Sequence, residues 1–272
     1  MKYLSANLLE IKNRLSRSDG SVLMLDFDGT LSPLVSTPDK AKIDPGIKEE
    51  LKKIIRLFPI VIISGRELGD LEKKIGLKNI SLAGNHGFEW RLKNEKGSIK
   101  IPRGTRSLLL KIKKELVILT SAYPGVLLED KGLGLAVHYR RLRPGRVASF
   151  KKGISKIVSS PDCGAGLSEV RGKKVIELVP RIKWDKGNFA RLAMEKFKKS
   201  RKLKLLPVYI GDDTTDESAF MALRNSGVTI KVGKGEKSRA EFYVKNLKQV
   251  ELFLKWLRAE AERDPKRATN IF

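Results

Sequence analysis

The chain has 272 residues, 41% of them hydrophobic and 32% charged, a balance that supports a folded core and excludes a disordered or fibrous protein. Against 31 acidic residues stand 56 lysines and arginines, for a formal net charge of +25; the cations are spread along the chain without a basic tail and with few aromatics among them, which argues against a dedicated nucleic-acid partner and favours phosphorylated small molecules. One cysteine, Cys163, excludes an internal disulfide framework, and no apolar run reaches the length of a membrane span, so the expected setting is the cytoplasm, away from any membrane.

The N-terminus, with Asn7, Glu10 and Lys12 among its leucines, lacks a secretory apolar core. The first strongly marked element is the aliphatic run Val22 to Leu25, a buried strand that ends in Asp26-Phe27-Asp28-Gly29-Thr30. Alternation puts Asp26 and Asp28 on one side of the extended chain, where two like charges need a cation or a proton between them. Taken alone, Asp28-Gly29 is also what a turn after any strand looks like. Asp44-Pro45 starts a helix with Ile47, Leu51, Ile54 and Ile55 on one face, followed by a strand from Pro59 to Ile63, a helix from Leu68 to Ile75 and a strand from Ile80 to Ala83. This β-α-β rhythm returns after residue 181 and predicts an α/β fold built on one doubly wound parallel sheet. Its later members are a helix from Asp185, a strand Leu206 to Ile210, a helix Thr215 to Arg224, a strand Val228 to Val232 and a final helix from about Asn246. Between the two halves the pattern changes. Thr105 caps a helix bearing Leu108, Leu109, Ile112, Leu116 and Leu119, and a hairpin follows, Val126 to Glu129 and Leu133 to Tyr139. A second helix (Val147, Phe150, Ile154, Ile157) and a second hairpin, Leu167 to Val170 and Lys174 to Val179, repeat the unit. The expected organisation is a core of residues 1–101 and 182–272 interrupted by an α+β insert, αββαββ, at 102–181.

Three further segments lie where apolar runs meet loops or helix starts: Ile63-Ser64-Gly65-Arg66, Asp185-Lys186-Gly187 and Gly211-Asp212-Asp213-Thr214-Thr215-Asp216-Glu217. Together with DFDGT they resemble, in order, the four motifs of the haloacid-dehalogenase superfamily of phosphohydrolases. The resemblance implies Asp26 as nucleophile, Asp28 as general acid and base, Ser64 on a phosphoryl oxygen and Lys186 as the neutralising cation. It also implies a Mg2+ site made by Asp26, the Asp28 backbone carbonyl and Asp212, with Asp213 and Asp216 close by; hard oxygen ligands suit that ion. Lys183 competes with Lys186 on position alone, and Lys-Gly at a helix start is the form of the superfamily's third motif.

The insert narrows the resemblance. Ala83-Gly84-Asn85-His86-Gly87-Phe88-Glu89, Glu129-Asp130-Lys131, Val137-His138-Tyr139-Arg140 and Ile176-Glu177-Leu178-Val179-Pro180 are similar to segments of the trehalose-6-phosphate phosphatase family. That family would make the insert a cap whose Glu129 and Lys131 read sugar hydroxyls, with Glu177, Arg66, Asn85 and His86 as further substrate-binding candidates. Val179 stands where the family often has a basic residue, which puts a substrate contact there in doubt. The implied activity is Mg2+-dependent hydrolysis of trehalose 6-phosphate through a phosphoaspartyl intermediate; the rivals are a phosphatase for sucrose or mannosylglycerate precursors and a basic nucleic-acid-binding protein on the same scaffold. His86 and His138, the two histidines, read as hydrogen-bonded residues rather than catalysts.

Overall fold

The computed structural model describes residues 1–93, 95–199, 203–235 and 237–263. It divides into two compact units, one of residues 1–34, 41–98 and 184–272, the other of residues 35–40 and 99–183. Residues 35–40 therefore group with the insert rather than with an unbroken first stretch of core, a difference from the sequence-based boundaries.

The strands are β1 (Lys2–Tyr3), β2 (Gly20–Leu25), β3 (Ile60–Ile63), β4 (Ser81–Gly84), β5 (Glu89–Leu92), β6 (Glu95–Ser98), β7 (Leu127–Asp130), β8 (Leu135–His138), β9 (Leu167–Gly172), β10 (Val175–Pro180), β11 (Leu205–Gly211), β12 (Val228–Val232) and β13 (Phe242–Val244). Helices α1 (Leu8–Ser16), α2 (Pro45–Ile54), α3 (Leu68–Ile75), α4 (Thr105–Ser121), α5 (Val147–Val158), α6 (Pro161–Gly166), α7 (Lys186–Lys199), α8 (Glu217–Leu223) and α9 (Leu247–Glu262) complete the elements the argument needs. None of them is long and apolar enough to cross a membrane, among the described residues.

The core unit holds a nine-stranded sheet in the order β1-β13-β12-β11-β2-β3-β4-β5-β6. Pairing is parallel from β1 across to β4 and antiparallel for β4-β5 and β5-β6, so the sheet is mixed, with an antiparallel edge hairpin that the sequence reading did not contain. Every residue of β2, β3, β4 and β11 is buried, as expected for parallel strands covered on both faces, and this is why they read as unbroken apolar runs. Local signals set the helices. The Asp44 carboxylate accepts the Ile47 amide at 3.1 Å to cap α2, and α3 stops at Gly76, whose φ of 57° suits a residue without Cβ. Because β2, β3, β4 and β11 run in the same direction, the residues that follow them, Asp26, Ser64, Asn85 and Asp212, emerge at one end of the sheet.

The inserted unit is a four-stranded antiparallel sheet in the order β7-β8-β10-β9. Leu135, Val137, Leu167, Ile176 and Leu178 on one face of it form a single buried cluster with Leu109, Ile112 and Leu116 of α4, Phe150 and Ile154 of α5, and Cys163 of α6. Cys163 is thus a small buried packing residue, and burial pushes its thiol up, away from the thiolate a nucleophile needs. Thr105 is the first residue of α4 and not its cap. Gly104, at φ 83°, takes the cap position, and the Thr105 hydroxyl donates back to the Pro102 carbonyl at 2.8 Å.

Candidate active site

Strand β2 delivers Asp26 alongside β11: the Asp26 amide donates to the Ile210 carbonyl at 2.9 Å, continuing the ladder one residue past Leu25. The chain then turns sharply. Gly29, at φ 87°, is required here for space as well as conformation, because a Cβ at this position would lie 2.2 Å from Asp212 Oδ2. Helix α7 begins at Lys186, after the Asp185 carboxylate accepts the Asn188 amide at 2.9 Å. The Lys186 side chain is 2% exposed, and its Nζ donates to Asp26 Oδ1 at 2.7 Å and to Asp216 Oδ1 at 2.8 Å. Lys183, its competitor, is exposed.

Asp216 organises this corner. Its Oδ1 also accepts the Tyr209 hydroxyl at 2.8 Å, and its Oδ2 accepts the amides of Asp212 and Asp213 at 2.9 Å each. Burial penalises its charge, but Lys186 and these donated hydrogen bonds hold the carboxyl below the usual range. Asp26 goes the other way. Burial pushes its carboxyl well above the usual range; Lys186 opposes this, while Asp216 and Asp212 add to it. Burial also works against a charged Lys186, yet Asp216 and Asp26 keep its pKa well above that of a free lysine. For Tyr209, burial and then the Asp216 charge push the phenol up, so it stays a protonated donor.

Oxygens of Asp26, Asp212 and Asp216 lie within 4.8 Å of one another, and all three residues are buried. Three buried carboxylates this close to one another favour a cation or protons among them. An all-oxygen donor set of this charge suits a hard divalent cation. Since Asp216 already accepts four hydrogen bonds, Asp26 and Asp212 are the members with coordination to offer. Asp213, one of the residues expected at the metal, does not join this group: its carboxylate caps the short turn Thr214–Asp216, and Asp216 takes the buried place.

The remaining motif residues surround the same strand ends. Asp28, with its side chain 36% exposed, is clasped by Arg66 at both oxygens, Nε to Oδ2 at 2.8 Å and Nη2 to Oδ1 at 2.7 Å. Arg66 also donates to Asp70 at 2.8 Å and lies over the Phe27 ring, 5.2 Å from its centroid; burial opposes its charge, and Asp28 with Asp70 raises its pKa further. Ser64 is buried and its hydroxyl accepts the Arg66 amide at 3.2 Å. Asn85 and His86 both have positive φ, 49° and 58°, in the tight turn after β4. The Asn85 amide side chain donates to Glu89 at 2.8 Å, and the His86 ring packs where a Cβ on Gly65 would fall, 2.7 Å from Cε1.

In the inserted unit the register decides what shares a face. Glu129 of β7, Ala136 of β8, Glu177 of β10 and Val170 of β9 stand opposite one another in one row, on the side of the sheet away from the apolar cluster. His138, two residues on from Ala136, shares that side. There His138 Nε2 lies 2.7 Å from Glu129 Oε2, and Lys131 Nζ donates to Glu177 Oε1 at 2.9 Å. The three acidic and basic residues expected to read a sugar are thus gathered on one face, together with His138, which the sequence reading favoured as a hydrogen-bonded residue.

A sequence description of the trehalose-phosphatase family matches residues 24–250. Over 233 residues, the chain is 36% identical to the trehalose-phosphate phosphatase of Mycobacterium ulcerans, a stretch covering 82% of this chain and 57% of that protein. To the corresponding Mycobacterium tuberculosis protein it is 34% identical over 270 residues, covering 94% and 67% of the two chains. The chain therefore spans little more than half the length of the first of these relatives. Among solved structures, it resembles the C-terminal domain of trehalose-6-phosphate phosphatase from C. albicans, with a TM-score of 0.83 at 25% identity, covering 95% of this chain and 98% of that one. The segment matched contains every motif residue described above, from Asp26 through Glu177 to Asp216, and the chain belongs to the trehalose-phosphatase family.

Proposed function

We propose that this chain is a Mg2+-dependent phosphatase that hydrolyses trehalose 6-phosphate to trehalose and inorganic phosphate. The observation that carries the proposal is the buried cluster at the strand ends, in which Lys186 bridges Asp26 and Asp216 beside Asp212, in a chain of the trehalose-phosphatase family. Asp26 attacks phosphorus, the P–O bond to the sugar breaks, and the leaving alkoxide takes a proton from Asp28. Water then attacks the phosphoaspartyl group, giving up its proton to Asp28, and phosphate and free Asp26 result. Lys186 opposes the cost of ionising the buried Asp26 and neutralises a phosphoryl oxygen, and Ser64 donates its hydroxyl to another. Arg66 holds the Asp28 carboxylate in one orientation between its two roles. Mg2+ would be held by Asp26, Asp212 and the Asp28 carbonyl, and it supplies the charge that lets a phosphate dianion approach three carboxylates.

Sugar recognition falls to the inserted unit acting as the cap, with Glu129, Lys131 and Glu177 hydrogen-bonding the hydroxyls; Asn85 and His86 are assigned to the substrate as well. The cytoplasm is the proposed location, where a charged sugar phosphate is retained and Mg2+ is plentiful. Phosphate release should be measured from trehalose 6-phosphate, sucrose 6-phosphate, mannosylglycerate phosphate and glucose 6-phosphate, with and without Mg2+. A clear preference for trehalose 6-phosphate that requires the ion is the expected result. Preference for another sugar phosphate would overturn the substrate and leave the phosphatase chemistry standing.

A further inference from the structure

On the face of the inserted sheet that points away from its apolar cluster, each carboxylate has a basic partner. Glu129 is paired with His138 at 2.7 Å and Glu177 with Lys131 at 2.9 Å. Ala136 stands between the two in the row Glu129-Ala136-Glu177, so the backbones that carry the carboxylates lie two strand spacings apart, roughly 10 Å, with only a methyl group between them. That arrangement leaves no bulky side chain between two hydrogen-bond acceptors, and the acceptors differ in how they are held. Lys131 is 7% exposed and sits past the end of β7, where its amide donates to the Gly134 carbonyl at 2.9 Å and fixes the loop. His138 and Glu129 are each about a quarter exposed, 22% and 24%, on strands that are directly paired. A glutamate this open has several rotamers available, and holding one of them is what a short hydrogen bond from a ring nitrogen accomplishes.

We propose that His138 is a positioning residue for sugar specificity: through Nε2 it helps to orient the Glu129 carboxylate and so aims it at a hydroxyl of the substrate. This rests on the trehalose 6-phosphate reading and on Glu129 as a sugar contact. The imidazole itself need not touch the substrate. Its effect is confined to the part of the reaction that recognises the sugar, because Asp26, Lys186 and Asp212 belong to the other unit.

The test compares kcat/KM for trehalose 6-phosphate with kcat/KM for p-nitrophenyl phosphate, which has no sugar to read, in the full chain with Mg2+. His138→Leu should lower the ratio of the two about tenfold, chiefly by raising KM for the sugar phosphate. His138→Gln, which keeps a donor near the Glu129 carboxylate, should restore the ratio to within about threefold of wild type. In a double-mutant cycle, His138→Leu added to Glu129→Gln should cause no further loss, since the group it positions is already altered. The proposal is overturned if His138→Leu keeps the wild-type ratio, if both substrates suffer equally, or if the two substitutions are additive. Should His138→Leu fail to fold, the same cycle run with His138→Ala decides between these outcomes. A wild-type enzyme without preference for trehalose 6-phosphate overturns both this proposal and the substrate reading; a wild-type preference that His138→Leu leaves intact overturns this proposal alone.

Discussion

Two clusters of charged side chains, one in each unit, are built on opposite principles. At the core strand ends three buried carboxylates cluster, and Lys186 pairs with two of them, Asp26 and Asp216. On the inserted sheet Glu129 is hydrogen-bonded to His138, and Glu177 is ion-paired with Lys131. An unbalanced cluster in a buried place is stable only with something added, and a dianionic phosphate cannot be that something. A carboxylate paired with a lysine, as Glu177 is, can exchange part of its hydrogen bonding for the hydroxyls of a neutral sugar at small electrostatic cost. On the proposed reading, the difference is that between a reaction centre, which must bring charge together, and a recognition surface, which must not.

The comparison breaks first at Asp26. An amide there cannot attack phosphorus, so Asp26→Asn should cost at least a thousandfold in kcat on every phosphate ester, about 4 kcal/mol in the barrier. Activity within tenfold of wild type would remove Asp26 as the nucleophile. Next is the imbalance itself. Lys186→Met should leave the buried carboxylates uncompensated and lower stability by roughly 3 to 5 kcal/mol in the absence of divalent ions. Urea unfolding with and without Mg2+ checks this, and the loss should shrink when the ion is present. An unchanged midpoint would mean that the cluster is already neutralised by protons. For the intact protein, EDTA should abolish activity and Mg2+ restore it, whereas Ca2+ should bind without supporting good turnover. Full activity in chelated buffer would refute the cation.

Smaller effects sharpen the contrast. Glu177→Gln should lower kcat/KM for trehalose 6-phosphate by roughly ten- to a hundredfold, the worth of one or two charged hydrogen bonds of about 1.5 to 3 kcal/mol, with a much smaller effect on an aryl phosphate. Equal loss on the two substrates would place Glu177 in the fold of the insert instead. The least severe is Tyr209→Phe, which removes one of four hydrogen bonds to Asp216; a stability loss of about 1 kcal/mol is expected, measurable as a lower Tm.

Strand-end chemistry was legible in the sequence because apolar runs end abruptly in short polar motifs. DFDGT, ISGR and GDDTTDE each follow an unbroken buried strand, and Lys-Gly follows a capping aspartate. Which aspartate of GDDTTDE turns inward was not, since Asp213 and Asp216 lie on one short turn and only its closure decides between them. A signal did exist: two aspartates three residues apart can form a reciprocal cap, which commits the first to the turn and the second to the amides before it. The β5-β6 hairpin escaped for another reason. Trp90 and Leu92 are its only buried apolar residues, and β6, Glu95-Lys96-Gly97-Ser98, is an edge strand with no apolar side chain to give a period. The partner of His138 was invisible because Glu129 and His138 are nine residues apart, and only the β7-β8 register makes them neighbours.

Residues 35–40 group with the insert, so the chain passes from one unit to the other four times, at 34/35, 40/41, 98/99 and 183/184. The insert is therefore not a cassette with a single entrance and exit. A graft that exchanged only residues 99–183 with those of a relative would carry a foreign sheet and helices but keep the resident six-residue strap, and the recombinant would be mismatched within its own second unit. Exchanging the second unit with that of a relative therefore means moving both segments together, one of which, residues 35–40, follows only nine positions after Asp26 in the chain.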